Sequence, residues 1–434
     1  MVELDSSTDV VIIGGGIIGC ATAYRLARRG MAVTLVDKGP IGYEQSTRNW
    51  GWVHQQVRYP HLIPLAVASV RIWQGLAEEL DADVGWAQGG NISLGFDDVD
   101  LAEFEMWGQD ARNAGLETTV LTSDQVAEVV PGMTGRWTGA LHLPTDGQAD
   151  PSLVTTAFAD AAKRHGAHVI TDCAVTAIDT AGGAVTGVLT ERGPIHASTV
   201  ICAAGAWSGR LTRPLGVRFP QRAVRSTVVR TEPVAPVTDA TGWADGFTFR
   251  QDRAGRFVLA GGEEAIYDVD LGLFRDMRWF LPVAWKNRRW LRMRIGRPLF
   301  RDLAALVPGS SARRSFWQRH RQIDPPANAK AVRATLAAFH RAFPALAGVG
   351  IESAWAGNID STPDQAPIIG PADGGPTGLL IATGFSGHGF ALGPAGGQLA
   401  ADLVLGDEPL VDPHPFRHAR FAERDVPAVN AHRR

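Results

Sequence analysis

DVVIIGGGIIGCATAYRLARRGMAVTLVD, residues 9–37, is the stretch that decides how this chain folds. The apolar run Val10 to Ile13 leads directly into Gly14, Gly16 and Gly19. A small-residue amphipathic segment follows from Cys20 to Arg29, and Gly30 stops it. A second apolar run, Ala32 to Val36, ends on Asp37. The pattern predicts strand, glycine turn, helix, strand and acid. Gly14 would make the tight turn, Gly16 would let the backbone approach a pyrophosphate, and Gly19 would let the helix pack close to the sheet. The helix start offers free N–H groups and a positive dipole end to phosphate. Asp37, eighteen residues after Gly19, is placed to accept hydrogen bonds from ribose hydroxyls. The pattern therefore predicts dinucleotide binding, and an acid at that point disfavours a 2′-phosphate.

Working outward, 434 residues suggest two domains, or one with large insertions. A hydrophobic content of 45% with 20% charged residues is that of a soluble globular protein. The net charge of −3 predicts no strong attraction to nucleic acid or to anionic membranes. Cys20, Cys173 and Cys202 lie far apart in apolar or small-residue settings. None has metal-ligand spacing, so they read as buried packing residues and no metal site is expected. There is no leader pattern at the N-terminus, and no window reaches the ~18 apolar residues needed to span a bilayer. A cytoplasmic, reduced protein is the expectation.

The periodicity predicts helices over 61–80, 100–114, 150–165 and 327–343, with Asp150-Pro151 as N-cap and first helical residue. Strands are expected at 169–170, 175–178, 185–190 and 199–203, and several antiparallel strands over 216–270. Residues 273–301 change character, mixing arginines with Trp279, Phe280, Trp285 and Trp290. This block reads first as a helix pair that packs its tryptophans. A helix lying on a membrane surface is the lesser reading, and nothing in the sequence points to nucleic-acid binding. The strand Leu379–Thr383, its glycine turn and the small-residue helix after it form a second anion-friendly helix start.

Four separated motifs complete the pattern: GGGIIG…VD, the Ser46-Thr47 loop, VICAAGAWS at 200–208, and TPDQAPIIGP with GFSGHGFALGPAGG at 362–397. Together they resemble the D-amino-acid oxidase superfamily of FAD-dependent oxidoreductases, which includes glycine oxidase, sarcosine oxidase and D-amino-acid dehydrogenase. The resemblance implies an α/β fold, with a Rossmann-type FAD-binding domain (1–85, 150–215 and 346–434) and an inserted mixed or antiparallel-sheet α+β substrate domain (86–149 and 216–345). It implies that Gly14, Gly16, Ile17, Ile18 and Gly19 face the pyrophosphate, with Asp37 and Lys38 at the adenosine ribose. Ser46, Thr47, Asn49, Trp50 and Gly51 would form the loop running toward the flavin. Val175 would meet the adenine, and Ala203, Gly205 and Trp207 would close over the adenosine. Gly384, Phe385, Ser386, Gly387, His388 and Gly389 would approach the flavin pyrimidine edge, where donors stabilise the negative charge of reduced flavin.

Two departures from that family matter. Members that bind flavin covalently carry a histidine after Ser-Thr, where this chain has Arg48-Asn49-Trp50, so non-covalent FAD is expected. Glycine-oxidase-like members often place a carboxylate-gripping arginine two residues after the W-x-G motif. Here Trp355-Ala356-Gly357 is followed by Asn358, with Ile359 at the matching place and Asp360 beside it. This suggests Asp360 as partner for a cationic amine, or Arg58 or Arg250 as substitute carboxylate partners. His54 and His388 are the remaining candidates near the substrate.

The reaction implied is oxidation of a C–N bond of an amine or amino acid, with O2 or a quinone as final electron acceptor. Orientation is its main demand, which suits a sequence with no obvious Ser-His-Asp set or paired carboxylates. The alternatives are a 2-hydroxy-acid oxidoreductase with His54 as base, and a flavin-binding subunit with no substrate of its own.

Overall fold

A computed structural model of the chain describes residues 7–56, 60–261, 265–286, 291–310, 316 and 320–425. Arg58 and Trp290 lie outside the described residues. The strand Val10–Ile13 is buried along its whole length, as a β-branched run with neighbours on both sides should be. It pairs in parallel with Val33–Val36 and with Thr199–Cys202, Val10 facing Val33 and Thr199. His168–Ile170 extends the sheet on one side and Leu379–Thr383 on the other, both parallel, and Ile368–Pro371 closes that edge antiparallel.

Against this six-stranded sheet lies the helix Ile17–Arg28. Gly14 is left-handed, with φ +114°, and a Cβ on Gly19 would stand 2.0 Å from the Gly14 carbonyl oxygen. Only glycine at both positions lets the helix start so close to the strand end. The helix Gly389–Leu405 packs beside it through Gly397, whose Cβ would stand 2.5 Å from Ala21 Cβ. The expected helix at 150–165 is Pro151–Arg164, and the Asp150 carboxylate accepts from Ser152 N–H. The helix expected at 61–80 is Ile63–Glu79, with Trp73 fully buried. All three cysteines are buried and free.

The second large sheet is mixed and mainly antiparallel. Its backbone is the long strand Arg222–Pro233, which continues through Arg256–Ala260, Phe247–Gln251 and Thr241–Ala244 to Asn91–Gly95, Gly139–Leu143 and Thr119–Thr122. The helix Ala329–Ala342 covers it, Phe339 and Phe343 packing on Phe257.

Two expectations need correction. Ile351–Ser361, expected with the cofactor-binding part, pairs antiparallel with Arg222–Thr231 and so belongs to the second sheet. Its partner lies some 130 residues earlier, beyond the reach of local periodicity. The block 273–301 is not a simple helix pair: helices Leu271–Arg275, Met277–Lys286 and Arg297–Leu306 surround an edge strand, Leu291–Ile295. Trp279 packs on Phe421 at 5.9 Å, but Trp285 is 71% exposed. Among the described residues, no helix is long and apolar enough to cross a membrane.

Candidate active site

The glycine turn opens into a long cleft between the two sheets. Gly14, Gly16, Ile17 and Ile18 line it, with Asp37, Lys38, Ser46, Asn49, Val175, Ala203, Gly205 and Trp207. The helix starting at Ile17 has no side chain capping it from Gly16; instead Ser46 Oγ accepts from Ile17 N–H at 2.9 Å. Asp37 accepts from Gly15 N–H (2.6 Å) and Gly39 N–H (2.7 Å). Burial pushes its carboxyl above the usual range, opposed by those two donors. Further hydroxyl donors, such as a ribose supplies, would favour the charged form.

Lys38 does more than flank the ribose position. Its ammonium pairs with Glu44, donates to the carbonyls of His320 (3.0 Å) and Arg321 (2.9 Å), and stands 5.1 Å from the Trp207 ring centre. Trp207 Nε1–H donates to Glu44 at 2.9 Å. Glu44 and Arg321 therefore complete this end of the cleft, and sequence reading missed both. Glu44 lay in plain view in the loop before Ser46, while Arg321 comes from a distant segment. Thr47 is not part of the lining: its hydroxyl donates to the Gly42 carbonyl at 2.9 Å, inside the loop.

At the other end of the cleft, Leu379–Thr383 runs into Gly384–His388 and the helix from Gly389. Phe385, Ser386, Gly387 and Gly389 line the cleft. His388 is the N-cap and its side chain makes no cap hydrogen bond, so the first N–H groups and the positive dipole end are open toward a ligand. Asp360 holds this turn. Its carboxylate accepts from Thr383 Oγ1 (2.7 Å), Gly384 N–H (2.6 Å) and Gln221 Nε2 (2.6 Å), and its carbonyl accepts from Ser386 N–H (2.7 Å). Burial pushes the carboxyl up while these donors pull it down. Asp360 lines the cleft and not the neighbouring cavity, so it braces the turn rather than meeting a substrate ammonium.

That neighbouring cavity, of about 510 Å³, opens beside the turn. Its walls include Trp50, Trp52, Trp243, Phe96, Phe104 and Trp107, with His54, Gln56 and His388. His54 and His388 come together, ring centres 5.7 Å apart. Burial lowers the His54 pKa to about 4, against the Gln56 carbonyl. With Nδ1–H given to that carbonyl at 3.2 Å, Nε2 of the neutral ring is an acceptor. Arg48 also lines the cavity, but its guanidinium is held by Asp324 (2.6 Å) and the Ala356 carbonyl (3.0 Å). Arg250 is buried away from the cavity lining, donating to the Trp50 carbonyl and to Gln148 Oε1 (3.1 Å), under the loop that includes Gly51. Ile359 lines the cavity at the place where the resemblance expects an arginine.

The cleft and the cavity share Gln45, Asn49, Ser386, Gly387 and Phe390. A ligand lying along the cleft would thus present its far end to whatever occupies the cavity. Residues 9–403 match the family described as FAD dependent oxidoreductase. The chain belongs to this family, and it is an FAD-dependent oxidoreductase.

As an FAD-dependent oxidoreductase, the chain is 28% identical to glycine oxidase of Pseudomonas aeruginosa over 95% of its own length and 99% of that protein. It is also 28% identical to human mitochondrial sarcosine dehydrogenase over 96% of its length, but spans only 42% of that protein. Among solved structures, L-amino acid deaminase from Proteus myxofaciens superposes with a TM-score of 0.90 at 30% identity, covering 96% of this chain and 94% of that one. Glycine oxidase from Geobacillus kaustophilus gives 0.76 at 25% identity, with 96% and 99% covered. The cleft fits FAD in its chemistry: a helix start at each end, the second without a side-chain cap, and in Asp37 an acid that gains from hydroxyl donors.

Proposed function

We propose that this enzyme oxidises a C–N bond of an amine or amino acid, releasing an imine that hydrolyses in water. The observation that carries the reading is the set of residues shared by cleft and cavity, which would bring a substrate to the cofactor around Gln45, Asn49, Ser386, Gly387 and Phe390. The chemistry that FAD supplies when bound is hydride acceptance at N5, followed by reoxidation with O2, giving H2O2, or with a quinone. The relatives support the substrate class, since glycine oxidase, sarcosine dehydrogenase and L-amino acid deaminase are all named for amino acids.

The chain's own contribution is orientation and proton handling. Trp50, Trp52 and Trp243 give the cavity that meets the junction an apolar wall. Asp100 and Glu103 line the cavity together with Arg48, whose guanidinium pairs with Asp324, so the wall carries both signs of charge. Oxidation needs the substrate amine unprotonated, and His54, held neutral by burial, offers Nε2 as a hydrogen-bond acceptor for a neutral amine N–H. FAD binds non-covalently in this reading, because Arg48-Asn49-Trp50 offers no histidine for attachment. The same His54 favours a second reading, in which it takes the hydroxyl proton of a 2-hydroxy acid.

The test is anaerobic mixing of the yellow protein with amines, N-methyl amino acids, amino acids of both hands and 2-hydroxy acids, reading flavin absorbance. Bleaching by an amine or amino acid is expected. Bleaching by 2-hydroxy acids alone would transfer the reaction to a C–O bond. Acid precipitation is expected to release the flavin into the supernatant.

A further inference from the structure

The cavity beside the flavin turn carries more information than its charge. Trp50, Trp52 and Trp243 touch pairwise, with ring centres 5.4, 5.6 and 5.9 Å apart and planes crossing at 77–82°. Three mutually perpendicular indoles form the corner of a box, the arrangement in which edges and faces both meet a flat guest. Phe96, Phe104 and Trp107 continue the aromatic wall away from the junction. At about 510 Å³ the cavity falls in the range of sites for drug-sized ligands. Glycine or sarcosine would leave most of it to water.

Trp52 is 5% exposed and offers the cavity its ring, with Nε1–H buried in the wall.

We infer that this site takes a substrate carrying a large flat aromatic group held by Trp50, Trp52 and Trp243. This specificity rests on the C–N oxidation reading and sharpens it. Small amino acids are poor substrates because they leave the box wet.

Two measurements on the flavin-loaded enzyme test it. In the first, anaerobic flavin reduction is compared for glycine, sarcosine, both hands of phenylalanine and tryptophan, and phenethylamine. In the second, phenylacetate and glycolate, which have no oxidisable amine, are titrated against the flavin spectrum. Aryl compounds are expected to reduce and to bind at least tenfold better than the small ones. Aryl binding without any reduction would uphold the box and refute C–N oxidation. Reduction by glycine or sarcosine as efficient as by aryl substrates would overturn the box and leave C–N oxidation standing. Failure of every compound both to bind and to reduce would overturn the box.

Trp243→Ala is expected to weaken phenylacetate binding, and unchanged binding would count against the box.

Discussion

Asp146 offers a sharp test of how the cavity wall is held. It is fully buried beneath the strand leading to His54, and its carboxyl accepts from Gln55 N–H at 3.1 Å and from Gln55 Nε2 at 2.8 Å. Burial pushes its pKa from an ordinary 3.8 up to about 7, in spite of these donors. The unfolded chain gives up this proton near pH 4, whereas the folded chain keeps it to about pH 7. The folded state thus binds more protons across that window, and this group's contribution to stability is lost as pH rises through it. At 1.36 kcal/mol per pH decade the loss is roughly 4 kcal/mol. His54 acts in the opposite direction: its pKa falls to about 4, so its contribution is present above pH 6.5 and lost as pH drops toward 4. Asp146→Asn cannot titrate and leaves His54 in place, so subtracting the variant's curve isolates Asp146. Urea unfolding of the flavin-loaded protein, followed by tryptophan fluorescence from pH 4 to 8, should show Asp146→Asn gaining on the native chain as pH rises. The gain should level off above pH 7, and substrate KM should lose its pH dependence over the same range. Parallel stability curves for the two proteins would refute the reasoning.

Three further outcomes are expected. Gly19→Ala puts a Cβ 2.0 Å from the Gly14 carbonyl oxygen, so the variant should purify without yellow colour; bound flavin at the native ratio would refute the close approach. Arg420 and Asp364 are both fully buried and joined at 2.7 Å. Arg420→Met alone should cost about 3–5 kcal/mol by urea unfolding, while the double variant with Asp364→Leu should recover most of it; a double variant no better than the single one would count against that account. Asp360→Asn should weaken flavin retention by loosening the turn at Ser386, while leaving the KM ratio between cationic and zwitterionic substrates unchanged. A collapse of that ratio would restore Asp360 as an ammonium partner.

The cofactor half of the site was legible because its chemistry is local. Gly14, Gly19, Asp37 and Ser46 meet one another within the first 46 residues, and the turn at 384–389 follows directly on its strand. The substrate half was not. Trp243 meets Trp50 and Trp52 only because two sheets converge there, and Lys38 meets the His320 and Arg321 carbonyls only because a segment near residue 320 folds over the cleft. Asp360 shows the same divide. Its sequence position beside Ile359 suggested an ammonium partner, but Thr383, Gly384 and Gln221 converge on it in space.

By itself, the sequence determined the strand–turn–helix that holds a dinucleotide, since glycine geometry, apolar periodicity and helix capping are set within about 30 residues. Only the tertiary structure decided which aromatic rings line the cavity. That depends on burial and on contacts between residues some 200 positions apart, and no local pattern encodes it.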